Sequence, residues 1–246
     1  MDDPKFTARL SPANIKHLSY TLVYIAKFTK QILLRFEDNG INIQAADGCH
    51  VAMLNISIDR SFFDSLIACG SIGVNVEILN KILGFMEGDC FFEYQTNGKL
   101  QIKDKESEFE MTCFEIDTER FEFPEEEIRE MTLIELFGDH NTFDMIETIK
   151  QWTSKFHADK VRFYLTEDKL TVSTETMETK ICKTFQTNNS TIDDWCVTVN
   201  TRYITQLPKT DHLILSWKHN FPLMIEERRT DELFIQTFIA PMMDDE

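Results

Sequence analysis

The sequence predicts an α+β protein of two similar halves, each an antiparallel sheet with helices gathered on one face. Three observations carry this. The order of periodicities after residue 130 repeats the order before residue 116: strand, long amphipathic helix, several strands, short helix, several strands. The segment VNVEILNKIL at 74–83 is echoed by VTVNTRYITQL at 197–207. Between the halves lies EIDTERFEFPEEEIRE at 115–130, very acidic, with one proline and no clean period, which reads as a solvated linker. The expected organisation is therefore an N-terminal domain over 1–116, a connector over 117–130 and a C-terminal domain over 131–246.

In the first half, residues 6–10 alternate as a short strand. Ser11-Pro12 then supplies an N-cap followed by proline at the first helical position. Ile15, Leu18, Leu22 and Ile25 recur at helical spacing over 11–27, and Lys16, Tyr20, Val23 and Lys27 fall on the opposite face. Strands are expected at 31–36, 40–45 and 51–58, with Asp38-Asn39-Gly40 as a hairpin turn. Asn75 caps a short helix whose apolar side is expected to be Ile78, Leu79, Ile82 and Leu83, with Glu77 and Lys81 outward. Strands at 90–95, 100–104 and 108–116 close the half, the first two joined by Asn97-Gly98.

The second half opens with a strand at 131–137. Phe143, Ile146, Ile149, Trp152 and Phe156 then form a helical stripe. Strands are expected at 161–165, 170–175, 179–187 and 195–199. Asn200 caps a short helix containing Arg202, Tyr203, Ile204 and Leu207, which Pro208 ends. Strands at 212–217, 223–227 and 233–240 finish the chain.

Composition narrows the function. An apolar share of 42% can build ordinary cores. The first residues carry no signal-peptide pattern and no apolar run approaches a membrane span, so a soluble intracellular protein is expected. Cys49, Cys69, Cys90, Cys113, Cys182 and Cys196 have no metal-ligand spacing and are expected to be reduced and mostly buried in strands. There is no Gly-rich phosphate loop, no HExxH and no nucleophile elbow, and the six histidines do not cluster. No enzyme, metal or cofactor is expected. The net charge of −17 argues against a nucleic-acid partner until its distribution is followed. Residues 104–130 hold twelve acids against three bases, a local −9, whereas residues 11–30 hold Lys16, Lys27 and Lys30 and no acid. The four helical segments 11–27, 75–84, 141–156 and 200–209 carry +4 between them, against −21 elsewhere.

Four segments together resemble the proliferating cell nuclear antigen family of DNA sliding clamps. They are GINIQAADGCHV at 40–51, with Asn42, Gln44, Asp47 and His50; GVNVEILNKIL at 73–83; FPEEE at 123–127, like the end of an interdomain connector; and FIAPMMDDE at 238–246, an Ala-Pro followed by an acidic tail. They occur in the family's order over essentially the whole chain. The resemblance implies two clamp domains, each a duplicated βαβββ-type unit, and three subunits joined head to tail into a homotrimeric ring. Helices would line a hole holding duplex DNA, recognised without regard to sequence. The ring would act as a processivity factor for a DNA polymerase and a docking platform for replication and repair proteins. It would be placed by a clamp loader, in the nucleus or at a viral replication site. Two other readings stay open: a subunit of a heterotrimeric, checkpoint-type clamp, and a clamp-derived scaffold that does not encircle DNA.

Matching positions imply Lys16, His17, Lys81, Lys150, Lys155, Arg202 and Lys209 as DNA-channel residues. Met145 and Thr148 stand where the family's third inner helix has arginines, and Asp144 and Glu147 add acids there. The head-to-tail contact implies edge-strand pairing. The acidic edge at 108–116 carries Phe109, Met111 and Cys113, and the basic edge at 179–187 carries Lys180 and Lys183. A partner groove that takes a short helix is implied at Ala46, His50, Phe121, Phe123, Pro124, Pro222, Phe238, Ile239, Ala240 and Pro241. The family's regulatory lysine falls near Glu167, with Lys169 close but unmatched.

Overall fold

The computed structural model of the chain describes residues 5–37, 39–95, 97–115, 128–136, 141–177, 179–208, 210, 213–218 and 221–242. The chain divides into two compact units, Met1–Phe123 with Arg228–Ile235, and Pro124–Glu227 with Gln236–Glu246. A short piece of the second half of the sequence, Arg228–Ile235, groups with the first unit.

In the first unit the strands are β1 (Lys5–Leu10), β2 (Gln31–Glu37), β3 (Gly40–Ala46), β4 (Ala52–Asp59), β5 (Ser65–Asn75), β6 (Cys90–Gln95), β7 (Lys99–Lys103) and β8 (Glu108–Thr112). They are ordered β8-β7-β6-β1-β5-β2-β3-β4, every pair antiparallel. β5 is the element the sequence reading left out. Ser65–Cys69 pairs with β1, and Gly70–Asn75 then pairs with β2. The change of partner occurs at Gly70, whose φ of 87° is a backbone state that side chains resist. Because its two parts serve different neighbours, β5 has no single alternation to read.

Helix α1 (Pro12–Ile25) buries Ile15, Leu18, Leu22 and Ile25 as its spacing predicts. Helix α2 (Val76–Leu83) buries Val76, Leu79, Ile82 and Leu83. Ile78, expected on the apolar side, is 47% exposed. A buried stripe at 76, 79, 82 and 83 places position 78 about 200° round the helix from Val76, on the outer face. The two helices pack on each other, and Ser19 Oγ donates to Asn80 Oδ1 at 2.7 Å. In the core Phe6 stacks on Phe36 with ring centroids 4.6 Å apart.

The second unit contains β9 (Thr132–Ile134), helix α3 (Thr142–Phe156), β10 (Lys160–Glu175), β11 (Lys180–Asn200), helix α4 (Thr201–Gln206) and β12 (Leu213–Trp217). Strands β13 (Leu223–Thr230) and β14 (Leu233–Ile239) follow. Their middle portion is the piece assigned to the first unit. β12 lies between β9 and β13. The four strands expected between 161 and 199 appear as the two long runs β10 and β11. β10 nevertheless doubles back. Thr174 Oγ1 donates to the carbonyl of Lys160 at 2.7 Å, across fourteen positions that would span roughly 46 Å if extended. Glu167 sits at φ 46° where the burial alternation breaks, so a hairpin turn does lie between 165 and 170.

Burial corrects the expectation for the cysteines. All six are free; Cys49, Cys69, Cys182 and Cys196 are exposed, Cys113 is half-buried, and only Cys90 is fully buried. A cysteine in a two-faced strand falls on the solvent side as readily as on the core side.

Candidate functional site

The four helices begin alike. Ser11, Asn75, Asn141 and Asn200 each accept, through the side chain, a backbone N–H of the first helical turn, so each helix starts at a defined residue, and packing of its apolar stripe sets the face turned outward. On α1 this leaves Lys16 exposed and His17 half-buried; on α2 it leaves Lys81 exposed. Arg202 on α4 is exposed, with its guanidinium 5.8 Å from the Tyr203 ring centroid. Lys155 is exposed in the last turn of α3. Lys209 lies outside the described residues.

Of the two channel residues read on α3, Lys150 changes, and the matched position Met145 turns inward. Lys150 does not reach outward: Nζ donates to Glu147 Oε1 at 2.8 Å and to the carbonyl of Leu207 at 3.0 Å. Its side chain is only 14% exposed. Its charge is spent within the unit, tying α3 to the end of α4. Met145 is fully buried, so it does not occupy an outward position where an arginine would face a ligand. The buried set of α3 is Thr142, Met145, Ile146 and Ile149, one step round from the predicted stripe, and Phe156 is exposed. A capping box starts the helix. Asn141 accepts from Asp144 N at 2.9 Å and Asp144 accepts from Asn141 N at 3.3 Å, which makes Thr142 the first helical residue. The two acids of α3 are therefore engaged: Asp144 in the cap, Glu147 with Lys150.

Among the described residues β8 ends its sheet, with no further strand of the unit on its outer side. Met111 is buried in the unit's own core, whereas Phe109 and Cys113 are half-buried. Phe109 stacks on Phe85 with centroids 5.7 Å apart, and Phe85 is 65% exposed, an aromatic at this edge that the sequence reading missed. The acids of β8 already have partners in β7: Lys99 pairs with Glu110 and Gln101 donates to Glu108. In the second unit, Lys180 and Lys183 lie along the part of β11 that pairs with the returning half of β10. Lys183 Nζ sits 5.0 Å from the Phe185 ring centroid, and Lys180 is exposed.

Of the residues read as partner-groove walls, Phe121, Phe123 and Pro124 lie outside the described residues. Ala46 is 6% exposed and packs with Leu33 and Met53, so it offers little surface. Met53, opposite Ala46 in the β3–β4 register, is the half-exposed apolar side chain at that point, another residue the reading missed. His50 is exposed at φ 56° in a tight loop. Asp47 holds that loop, with Oδ1 accepting from Val51 N at 2.7 Å and Ala52 N at 3.0 Å. In the second unit Phe238 and Ile239 are buried, Pro222 and Ala240 are half-buried and Pro241 is exposed. Of these, Pro222 offers surface together with Ala240 and Pro241, which lie just past the last strand.

Burial pushes the Cys90 thiol up to about 12 and the Cys113 thiol up to about 11. Neither is a nucleophile at neutral pH. Backbone N–H groups donating to Asp104 hold its carboxyl below the usual range, and the hydrogen bond and charge of Lys218 do the same for Glu130. Among the described residues no group of His, Cys, Asp or Glu is placed to hold a metal ion, and no helix is long and apolar enough to cross a membrane.

Residues 6–120 match the family model of the proliferating cell nuclear antigen N-terminal domain. A curated relative is "Probable DNA polymerase sliding clamp 2" of Paramecium bursaria Chlorella virus 1, 30% identical over 100 residues. That match takes in 39% of this chain and 38% of the relative, so the chain spans under two fifths of that relative's length in the alignment. The crystal structure of proliferating cellular nuclear antigen from Entamoeba histolytica is similar with a TM-score of 0.76 at 17% identity, covering 97% of this chain and 99% of that one. That of Thermococcus kodakaraensis is similar with a TM-score of 0.77 at 15% identity, covering 96% and 100%. At these identities the two structures show a common fold along the whole chain.

Proposed function

We propose that this chain is a member of the proliferating cell nuclear antigen family and a DNA sliding clamp: a ring subunit that encircles duplex DNA and holds a polymerase to it. The single observation that supports this most is a shared fold over 97% of the chain and 99% of a clamp-family structure, with both halves present. The exposed cations of the helices agree with it. Lys16, Lys81, Lys155 and Arg202 face outward from well-capped helices in a chain of net charge −17. Such a surface attracts phosphates without reading bases.

The ring is read as a homotrimer closed head to tail, with β8 of one subunit against β11 of the next. Phe109, stacked on exposed Phe85, forms the apolar part of the contact, with Lys180 and Lys183 on the facing edge. Partner docking is read on the Ala46–Met53 side of the first unit and on Ala240 and Pro241 of the second, by proteins carrying a short clamp-binding helix. The protein is read as non-catalytic, loaded by a clamp loader, and working in the nucleus or at a viral replication site.

The test is loading onto nicked circular DNA by a clamp loader. A clamp stays on the circle through high salt and leaves when the circle is cut; equal loss from circle and linear DNA would refute encirclement. Light scattering of Phe109→Ala at micromolar protein should fall from trimer to monomer mass with the fold intact, and an unchanged mass would refute the edge. The heterotrimeric reading has one specific observation behind it, the engaged charges of α3. A parent chain that stays monomeric alone, and forms a ring only with other subunits, would favour it.

A further inference from the structure

We infer that a polar cleft in the second unit, at the end of the β10–β11 sheet, binds a small phosphate ester that also carries hydroxyls, such as a sugar phosphate. The cleft measures about 320 Å³ and is lined by Lys160, Arg162, Ser173, Glu175, Lys180 and Thr198, among others. That volume is at the lower end of the range for small-molecule sites, too large for a bare phosphate and suited to a phosphate with one ring. Its charge opposes that of the whole molecule. Three cations meet one carboxylate, a local +2 in a chain of −17.

The strand register brings these groups together. Lys160 is the first residue of β10 and Glu175 its last, and Glu175 pairs with Lys180, the first residue of β11. The turn-back of β10 sets Lys160 beside Thr174 through the Thr174 Oγ1 to Lys160 carbonyl bond. Arg162 lies opposite Thr198, and its Nε donates to Thr198 Oγ1 at 3.3 Å. That bond orients the planar guanidinium, and a planar fork of donors matches a phosphate better than a lysine does. Thr198 is nearly buried, and its carbonyl accepts from Met242 N at 2.7 Å, which holds the rim of the cleft. The groups thus stand on hydrogen-bonded strands rather than on a loop.

Each side chain suits one part of such a ligand. Two lysines and an arginine match the double charge of a phosphate monoester, and the Ser173 hydroxyl adds a donor. Glu175 is unsuited to a bare anion. Beside Lys180 it is an acceptor for a ligand hydroxyl, which a sugar provides and inorganic phosphate does not. Duplex DNA fits less well, because the carboxylate would repel a diester backbone and the exposed cations of α3 and α4 lie on helices, not at this sheet end.

The test is calorimetric titration of the whole chain, at low salt, with inorganic phosphate and with ribose 5-phosphate. Saturable binding of both is expected, with ribose 5-phosphate the tighter. Lys160→Gln combined with Arg162→Gln should weaken both by about tenfold or more, the loss of charge-assisted hydrogen bonds. Lys180 also stands on the edge assigned to the ring contact, so the test uses Lys160 and Arg162, which do not, and an unchanged mass in light scattering separates this result from failed assembly. Glu175→Gln should shift the two ligands unequally, strengthening inorganic phosphate more than ribose 5-phosphate and so reducing the advantage of the sugar. That unequal shift keeps the inference testable if the double variant folds poorly. No saturable binding of either ligand, unchanged affinity in a folded double variant, or an equal shift of both ligands with Glu175→Gln would overturn it.

Discussion

Lys150 separates a structural cation from a DNA-facing one, and Lys150→Met isolates the difference. Methionine keeps the unbranched stem and removes the charge and donors. Lost with them are the bond to Glu147 Oε1 at 2.8 Å and the bond to the Leu207 carbonyl at 3.0 Å. A hydrogen bond involving a charged group contributes about 1.5–3 kcal/mol, and an orphaned buried acceptor costs a similar amount. Glu147 is 26% exposed and regains water on losing its partner, whereas Leu207 is nearly buried, so the larger share falls on its carbonyl. We expect a net loss of about 2 kcal/mol, which for a chain of this size lowers the melting temperature by roughly 4–8 °C. Salt dependence of DNA binding is the second readout. Each phosphate contact contributes about −0.9 to the slope of log affinity against log salt. Lys150→Met should leave that slope alone, and Lys155→Ala should make it shallower with little change in melting. The reasoning fails if Lys150→Met melts with the parent chain while its salt slope becomes shallower, because the side chain would then be turned toward DNA.

Other outcomes follow from the same geometry. Gly40→Ala would place its Cβ 2.0 Å from the Ile58 carbonyl oxygen at φ 153°, and should cost more than about 3 kcal/mol in chemical denaturation. Gly98→Ala, at φ 78° with nothing within 4 Å, should cost only about 1–2 kcal/mol; equal costs would refute the close approach. A thiol reagent should label Cys49, Cys69, Cys182 and Cys196 in the folded chain and reach Cys90 only on unfolding, read by peptide mass. The Cys90 thiol, at about 12 when folded against 9.0 ordinarily, holds its proton more tightly in the folded state. Its contribution is therefore whole below the unfolded value and is lost as pH rises from there toward about 12, and Cys90→Ala should flatten the alkaline fall of the denaturation midpoint. Met53→Glu with Pro241→Glu should abolish binding of a clamp-binding peptide in fluorescence polarisation, while Ala46→Gly should leave binding nearly unchanged.

What the sequence made legible was whatever depends on one short stretch. The caps Ser11, Asn75 and Asn200 were readable because an N-cap is a local contract between a side chain and the next turn, and Asn141, which went unread, carried the same signal. The stripe on α1 was readable because four spaced residues suffice. β5 was not, because its bend at Gly70 and its two partners are facts about β1 and β2. Lys150 could not be read either. On a helical wheel it is an outward cation, and its partner Leu207 is 57 residues away. Ala46 and Phe238 were placed by resemblance as surface and proved to be core, since a matched position transfers location along the chain more faithfully than side-chain exposure. Phe85 and Met53 carried a signal in their size and apolarity, but their exposure depends on strands that end or turn beside them.

The duplication itself accounts for the charge that α3 lacks. Each unit joins its long helix to its short one, and the two joints use different chemistry. In the first unit the joint is neutral: Ser19 Oγ donates to Asn80 Oδ1, and Lys16 and Lys81 remain outward. In the second unit the short helix is two residues shorter, with Leu207 as its last capping residue, and the joint is Lys150 Nζ on the Leu207 carbonyl. A free carbonyl at a helix end attracts a cation, and the negative end of the helix dipole strengthens the bond. Glu147 then completes the neutralisation. The second unit thus uses a cation to hold its helices together where the first uses a hydroxyl and an amide. Among the described residues, the outward cations on the helices of the second unit are thus Arg202 and Lys155, while the first keeps Lys16 and Lys81 outward. If DNA passes along both faces, it should be held more strongly by the first unit than by the second, an asymmetry that arises from one internal hydrogen bond rather than from a change in net composition.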